Sequence, residues 1–348
     1  VEFETMLEHE GVLIVKLWLH VTKKQQKKRF NELADNPQQA WRVTKQDWRF
    51  HKTYKSFVDS ASRAIRRTGS GQTPWHIIEA WDSRYRHLTV AETLLSAIEQ
   101  RLAATTRKPE SPVALPVPET VNVISALDLG LNVPEPSYRK EVNQRQVHLG
   151  FLARQLRDRR RSVVLVFEGS DASGKGGSIR RLTQALDARF YQVVQIAAPT
   201  DEELDRPYLW RFWRNLPRRG SLTFFDRSWY GRVLVERIEG FCAPADWQRA
   251  YGEINAFEEE LISAGSILLK FWFATSKEEQ LRRFQQREAL GFKHYKITDD
   301  DWRNREKWEA YEAAACEMIE RTSSELAPWT LVEAEDKYFA RLKVLRTV

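Results

Sequence analysis

Residues 167–181, FEGSDASGKGGSIRR, carry the spacing Gly169-x4-Gly174-Lys175 between an apolar run and a helix-forming segment. In that context a glycine-rich turn reads as a phosphate-binding loop. The glycines let the backbone approach phosphate closely, the following helix offers free N–H groups, and Lys175 adds a full charge. Gly169, Gly174, Lys175, Gly176, Gly177 and Ser178 form the candidate phosphate cradle. The usual loop has Ser or Thr after its lysine, where a hydroxyl holds magnesium; here Gly176 offers none. Ser178 lies one turn further on, in a less usual position. Asp171, inside the loop, is the better metal ligand, because a carboxylate facing phosphates is repelled unless a cation lies between. A second carboxylate is expected from a neighbouring strand end. The run LTFFD ends in Asp226, 51 residues after Lys175 (226 − 175), as a Walker-B aspartate would. Arg227 follows it and is placed to neutralise charge on a transferring phosphoryl group.

Further cations surround this centre in the sequence. Residues 280–296, QLRRFQQREALGFKHYK, carry Arg282, Arg283, Arg287, Lys293 and Lys296, and read as a lid that closes over phosphates. Arg180 and Arg181 follow the loop lysine, and Arg211, Arg214, Arg218 and Arg219 form another cluster. Together they would make a cationic track with more charge than one nucleotide requires, which suits a long polyanion. Solvated helix faces are the competing reading for each cluster.

The elements that must hold these residues follow from hydropathy. SVVLVF (162–167), YQVVQIA, SLTFFD (221–226), SILLKFWFA (266–274) and WTLVEA (329–334) are apolar runs of strand length. Helical patterns are expected over 139–160, 174–188, 206–215, 247–263, 277–287 and 301–322, and after Asp336. Strands apolar on both faces and alternating with helices imply an α/β fold: a parallel sheet sandwiched by helices, with a helical lid. The chain has 348 residues, 55 Lys+Arg against 48 Asp+Glu, and a net charge of +7, which favours an anionic partner. Its apolar runs are too short and too often interrupted by lysine to span a bilayer. Two cysteines, Cys242 and Cys316, make no disulfide framework, so a reducing cytoplasm is the expected location.

The sequence also repeats itself at an offset of 254. Phe3-Glu4 matches Phe257-Glu258, Lys16 matches Lys270, and Trp18 matches Trp272. Asp47-Trp48-Arg49 matches Asp301-Trp302-Arg303, and Pro74-Trp75 matches Pro328-Trp329. Residues 1–102 therefore read as the back half of a degenerate kinase-like repeat without a phosphate loop, 103–122 as a linker, and 123–348 as the complete domain. Val1 matches Asn255, so the natural protein is expected to extend upstream by about 130 residues (255 − 123). At Arg287, Lys293 and Lys296 the first copy has Leu33, Gln39 and Arg42. Scaffold tryptophans are kept while most of the lid charge is lost, as expected of a copy that keeps fold but not chemistry.

Phe167-Glu168-Gly169-x-Asp171-Ala172-x-Gly174-Lys175-Gly176-Gly177, Pro199-Thr200, Phe225-Asp226-Arg227-Ser228-Trp229-Tyr230 and the Lys270-x-Trp272 strand resemble the family-2 polyphosphate kinases. The duplicated layout is similar to the two-domain members that act as polyphosphate:AMP phosphotransferases. The resemblance implies a P-loop kinase-like fold with a lid and Mg2+-dependent phosphoryl transfer from inorganic polyphosphate to a nucleotide, AMP giving ADP. It implies Asp171 and Asp226 on the metal, Lys175 on phosphate, and Arg227 with Arg287 on the transferring group. The family tends to have Asp-Pro and Trp around the lid lysines, where this chain has Leu290-Gly291 and Tyr295; the first copy keeps Asn36-Pro37 and Trp41. The alternatives are a polyphosphate-dependent nucleoside diphosphate kinase, an ATP-dependent nucleotide kinase, and a nucleic-acid or polyphosphate binding protein without activity. The intact loop and both aspartates weigh against the last. A membrane partner is not expected, and self-association into a homo-oligomer stays open.

Overall fold

The computed structural model describes residues 1–104, 122–289 and 299–348. Contacts divide the chain into two compact units, Val1–Glu110 and Ser111–Val348. The expected linker at 103–122 falls largely outside the described residues. The first unit contains two strands, β1 (Lys16–His20) and β2 (Trp75–Glu79). The second contains β3 (Val163–Gly169), β4 (Tyr191–Gln195), β5 (Leu222–Asp226), β6 (Ile267–Ala274) and β7 (Trp329–Glu333).

In the second unit the sheet order is β4-β5-β3-β6-β7 and every neighbouring pair is parallel. β3 is central, with Val164 to Phe167 fully buried, which accounts for its β-branched apolar sequence. Val163, Leu165 and Phe167 point to a core shared with the helices Glu135–Asp158, Lys175–Thr183 and Lys337–Thr347. Phe225, on the other face, packs with Phe212 and Trp229, and Trp229 meets Phe257 of the helix Pro244–Ser263. The fold is thus the parallel α/β sandwich that the strand and helix alternation implies. No helix among the described residues is long and apolar enough to cross a membrane.

A buried polar network ties the helices to β6. Lys270 Nζ donates to Glu258 Oε2 (2.7 Å), the Thr322 carbonyl (2.7 Å) and Tyr230 OH (3.1 Å). Glu258 Oε1 accepts from Tyr230 OH and from Trp229 Nε1, and Trp329 Nε1 donates to Thr322 Oγ1. Burial pushes the Glu258 carboxyl up and the Lys270 ammonium down; their attraction and shared hydrogen bonds oppose both shifts. The first unit contains the same arrangement 254 residues earlier. Lys16 pairs with Trp75 across β1 and β2 as Lys270 does with Trp329 across β6 and β7. Lys16 Nζ also reaches Glu4 and the Thr68 carbonyl, and Trp75 Nε1 reaches Thr68 Oγ1.

Three expected helices differ from the observed ones. The expected 174–188 helix ends early, as Lys175–Thr183, and the expected 206–215 helix shrinks to Trp210–Trp213. The single helix expected over 301–322 is two, Asp299–Glu306 and Trp308–Thr322, joined through Lys307 at φ −98°. Thr53, its match in the first unit, joins Lys45–Lys52 to Tyr54–Thr68 at φ −93°. No glycine or proline marks either break. The tertiary contacts of Lys307, whose ammonium donates to Glu239 at 2.9 Å, hold the turn instead.

Lys270→Met leaves Glu258 buried without its cation and is expected to destabilise the second unit by about 3–5 kcal/mol. Adding Glu258→Gln is expected to recover part of that loss. Urea denaturation followed by tryptophan fluorescence measures both.

Candidate active site

The candidate active site sits at the carboxyl ends of β3, β5 and β6, where a parallel sheet presents its loops. β3 runs into the glycine loop at Gly169, whose φ is +138° and where any Cβ would collide with the backbone of Phe273 on β6. Only glycine fits that crossing. Gly174, at φ +109°, caps the helix Lys175–Thr183. Two non-glycine residues, Ala172 (φ +60°) and Arg227 (φ +64°), are also left-handed. Such strain concentrates where a side chain must be aimed. The Arg227 amide donates to the Phe167 carbonyl at 3.0 Å, and Ser228 Oγ donates to Glu168 Oε1 at 2.7 Å. These two bonds lock the segment after β5 onto the start of the loop.

Asp171 projects from the loop into a cluster of donors. Its Oδ1 accepts from Arg227 at 2.6 Å and its Oδ2 from Asn304 Nδ2 at 2.9 Å. Burial alone would raise its pKa. The charges of Arg227 and Lys175, with the hydrogen bonds from Asn304 and Arg227, outweigh burial and hold the carboxyl below the usual range. Asp171 is therefore an anion at neutral pH. Asp226, at the end of β5, has its Oδ2 3.8 Å from where a Cβ on Gly176 would stand, so it lies against the first turn of the loop helix. No hydrogen bond or ion pair to its carboxylate occurs among the described residues. Lys175 Nζ turns back onto the carbonyls of Gly169 (2.7 Å) and Ser170 (3.0 Å). Burial lowers its pKa, opposed by Asp171, Asp226 and Glu168. Glu168 is fully enclosed, and burial raises its pKa against the Ser228 hydrogen bond and the charges of Lys175 and Arg227.

These donors fit a hard divalent cation. Asp226 has unused lone pairs, and each Asp171 oxygen accepts only one hydrogen bond. Among the described residues no three acids, histidines or cysteines converge as a protein cage. That suits an ion that takes one or two carboxylates and fills its remaining positions with phosphate oxygens and water.

The loop separates two cavities. One is walled by Trp272, Trp308, Tyr311, Leu234 and Val235, with Asp171 and Arg227 at one end. The buried Trp272 Nε1 there has no hydrogen-bond partner. The other, about 240 Å³, lies on the outer side of the loop and is lined by Ser173, Ser178, Arg287, Lys337 and Arg341. Arg287 thus lies beside the loop; burial lowers its pKa, opposed by the charges of Asp301 and Asp171.

The other candidates are scattered. Gly177 and Ser178 line the outer cavity, whereas Arg180 is exposed and Arg181 turns to Tyr138 OH at 3.3 Å. Neither lines either cavity. Arg282 and Arg283 bond Glu279. Arg283 also donates to the carbonyls of Ala172, Ser173, Ala334 and Glu335, and so works as a staple between the loop and the end of β7. Arg211 pairs with Glu203 and Arg214 with Glu202, while Arg218 and Arg219 are exposed. Lys293 and Lys296, with the departures at Leu290-Gly291 and Tyr295, lie outside the described residues. The sequence reading missed Asn304, Lys337 and Arg341. The repeat carried a signal for all three, because their matches in the first copy are Phe50, Ser83 and His87.

The sequence pattern of the family described as Polyphosphate kinase 2 (PPK2) matches residues 1–106 and 132–348. The chain belongs to the polyphosphate kinase 2 family. It is 52% identical over 349 residues to a polyphosphate:AMP phosphotransferase of Pseudomonas aeruginosa, covering 99% of this chain and 70% of the relative. A protein of that description from Acinetobacter johnsonii is 37% identical over 354 residues, with the same shares covered. A solved polyphosphate kinase 2 structure from Pseudomonas aeruginosa superposes with a TM-score of 0.84 at 49% identity, covering all of this chain and 68% of that one. The polyphosphate kinase 2 structure of Arthrobacter aurescens gives 0.60 at 30% identity, covering 64% of this chain and 84% of that one. Membership of this kinase family agrees with the phosphate loop and carboxylates at the sheet edge.

Asp171→Asn and Asp226→Asn are each expected to lower turnover about 1,000-fold, the scale seen when one electrostatic stabiliser is removed. Melting temperatures should stay within a few degrees, because the Asp171–Arg227 pair has a half-exposed arginine and adds little stability. Steady-state assays with thermal melts of both variants check this.

Proposed function

We propose that the protein transfers the terminal phosphoryl group of inorganic polyphosphate to AMP, giving ADP, with Mg2+ bound by Asp171 and Asp226. The observation that carries the reading is the convergence of Asp171, Asp226, Lys175 and Arg227 on one glycine loop. Magnesium, when bound there, supplies charge neutralisation between phosphate oxygens. The chain's own residues do the rest. The loop amides and the helix N-terminus orient the donor phosphates. Lys175 leaves the loop carbonyls to meet them. Arg227, which here donates to Asp171, would face the equatorial oxygens of the group in transit. Phosphoryl transfer of this kind needs positioning and electrostatics, and no side-chain nucleophile. The aromatic cavity of Trp272, Trp308 and Tyr311 takes the acceptor nucleotide, with its phosphate toward Asp171 and Arg227.

The relatives support AMP over a nucleoside diphosphate. Those named for AMP match over 99% of the chain, whereas a GDP-polyphosphate phosphotransferase of Mycobacterium tuberculosis matches over 61%, at 36% identity. The first unit we read as a sister of the back half of the catalytic domain. Its identical strand register and its Lys16–Glu4–Thr68–Trp75 network support duplication. It keeps Arg29 on the carbonyls of Ala80 and Trp81, as Arg283 is kept on those of Ala334 and Glu335, yet has Phe50 where Asn304 would be.

Incubation with polyphosphate, Mg2+ and each of AMP, ADP, GMP and GDP, with chromatography of the products, tests the assignment. ADP formed from AMP, dependent on polyphosphate, is expected. Full activity from ATP and AMP without polyphosphate would overturn it.

A further inference from the structure

The arginines expected to form one track with the glycine loop separate in the structure. Arg211 and Arg214 pair with acids, whereas Arg218 and Arg219 stand in the turn that enters β5. That turn lies at the end of the sheet opposite the phosphate loop. The helix Glu135–Asp158 brings Arg154 and Arg157 to the same end, and the turn into β3 adds Arg159, Arg160 and Arg161. Arg189 precedes β4. Direct contacts join these segments. The Gly220 amide donates to the Arg161 carbonyl at 3.0 Å, and a Cβ on Gly220 would be 3.2 Å from the Arg157 Cα. The Arg157 and Arg189 guanidiniums lie 4.5 and 5.6 Å from the centre of the Phe190 ring. Strand β3 has seven residues, so about 20 Å separate this end from the loop at Gly169.

The charge here is unlike that of the chain as a whole. Residues 154–161, 185–190 and 216–221 contain eight arginines, no lysine and two acids, Asp158 and Asp187, against 55 Lys+Arg to 48 Asp+Glu overall. Asp187 is taken by Arg189 in a two-pronged pair at 3.1 and 2.7 Å. The side chains of the other seven arginines are exposed and make no hydrogen bond or ion pair among the described residues. A cation in the last turn complements the helix dipole, which accounts for Arg157. It does not account for arginines brought by the segments before β4 and β5. Arg160 has φ +52° just past the helix end, where glycine is usual. A side chain kept in such a conformation points to a use for it. Arg154, Arg157 and Arg189 also line a cavity of about 310 Å³ beside Leu186 and Leu222.

We propose that this arginine pole is a second, remote binding site for long polyphosphate chains, separate from the site where transfer occurs. This rests on the polyphosphate reading above. Guanidinium forks match phosphate oxygens in pairs, and seven of them here are unspent. A single-stranded nucleic acid would need an open aromatic face for its bases. Phe190, the aromatic ring that lines the cavity, is instead occupied by two guanidiniums. A surface that offers charge and no base-stacking face fits a chain that is phosphate throughout. A chain long enough to reach both ends of the sheet is held twice by one molecule, so the second contact is intramolecular and raises affinity for long chains alone. The pole touches no reacting atom and leaves the transfer step unaltered.

Two double variants on separate segments test it, Arg154→Gln/Arg159→Gln and Arg218→Gln/Arg219→Gln. In each, KM for long-chain polyphosphate should rise at least tenfold, as when one of two linked contacts is lost. KM for an oligophosphate too short to span the sheet should stay within twofold, as should KM for AMP and kcat. For the long chain, the slope of log KM against log salt should become shallower by about one to two, as each lost cation releases one fewer counterion. An unchanged KM for the long chain, or an equal rise for the short one, would overturn the proposal. Binding of fluorescently labelled long-chain polyphosphate, measured without nucleotide or metal, separates this proposal from the reading of function. Wild type that binds the chain but does not transfer from it would defeat that reading, and the remote site would still stand or fall on whether both variants bind at least tenfold more weakly. Single-stranded RNA that binds the wild type as tightly as polyphosphate, and is lost in the same variants, would assign the pole to nucleic acid and also overturn the proposal.

Discussion

A carboxylate set inside a phosphate-binding loop is the constraint around which this site is arranged. Asp171 is almost enclosed, and an enclosed anion next to incoming phosphates is doubly unfavourable. The fold meets the first difficulty with Arg227 and Asn304, one on each oxygen, and with Lys175 nearby. The second requires a cation from solution. Arg227 stabilises Asp171 through a 2.6 Å hydrogen bond, and in the proposed reaction it would turn toward the group in transit. An arginine after the second aspartate and an asparagine just before a helix break thus meet one electrostatic need.

That need reaches into the scaffold. Arg227 faces Asp171 from a left-handed conformation, flanked by its amide bond to the Phe167 carbonyl and by the Glu168–Ser228 bond. The loop itself is fixed from the other side by Arg283, which joins the carbonyls of residues 172 and 173 to those ending β7. Asn304 arrives because the chain turns at Lys307 between two helices, and Tyr311 OH then donates to Asn304 Oδ1 at 3.1 Å. Each is a backbone or hydrogen-bond constraint acting at a distance from the phosphates.

Much of this was legible in the sequence because its physics is local. Five apolar runs gave five strands, and a run apolar on both faces could be satisfied only inside a parallel sheet. The glycines at 169 and 174 announced the loop through conformations that other residues avoid. Asn304, Lys337 and Arg341 escaped because nothing near them in the chain marks them. They reach the loop through helix packing and a turn without glycine or proline. Arg282 and Arg283 misled for the complementary reason. A cluster of basic residues reads as one patch, yet Arg283 spends its donors on backbone carbonyls while Arg287 lines a cavity. The internal repeat held part of the missing information, since Arg283, bonded to backbone carbonyls, is kept as Arg29, whereas Arg287, Lys337 and Arg341 are matched by Leu33, Ser83 and His87.

The most direct measurement is the affinity for a divalent cation, read from the electron paramagnetic resonance of Mn2+ titrated into the protein with AMP and a non-transferable polyphosphate analogue. The account predicts that Asp171→Asn and Asp226→Asn each weaken binding at least tenfold, and that Asn304→Ala, which frees one Asp171 oxygen, does not. Wild-type affinity in either aspartate variant would contradict shared ligation by the two carboxylates, and with it the role assigned to the loop.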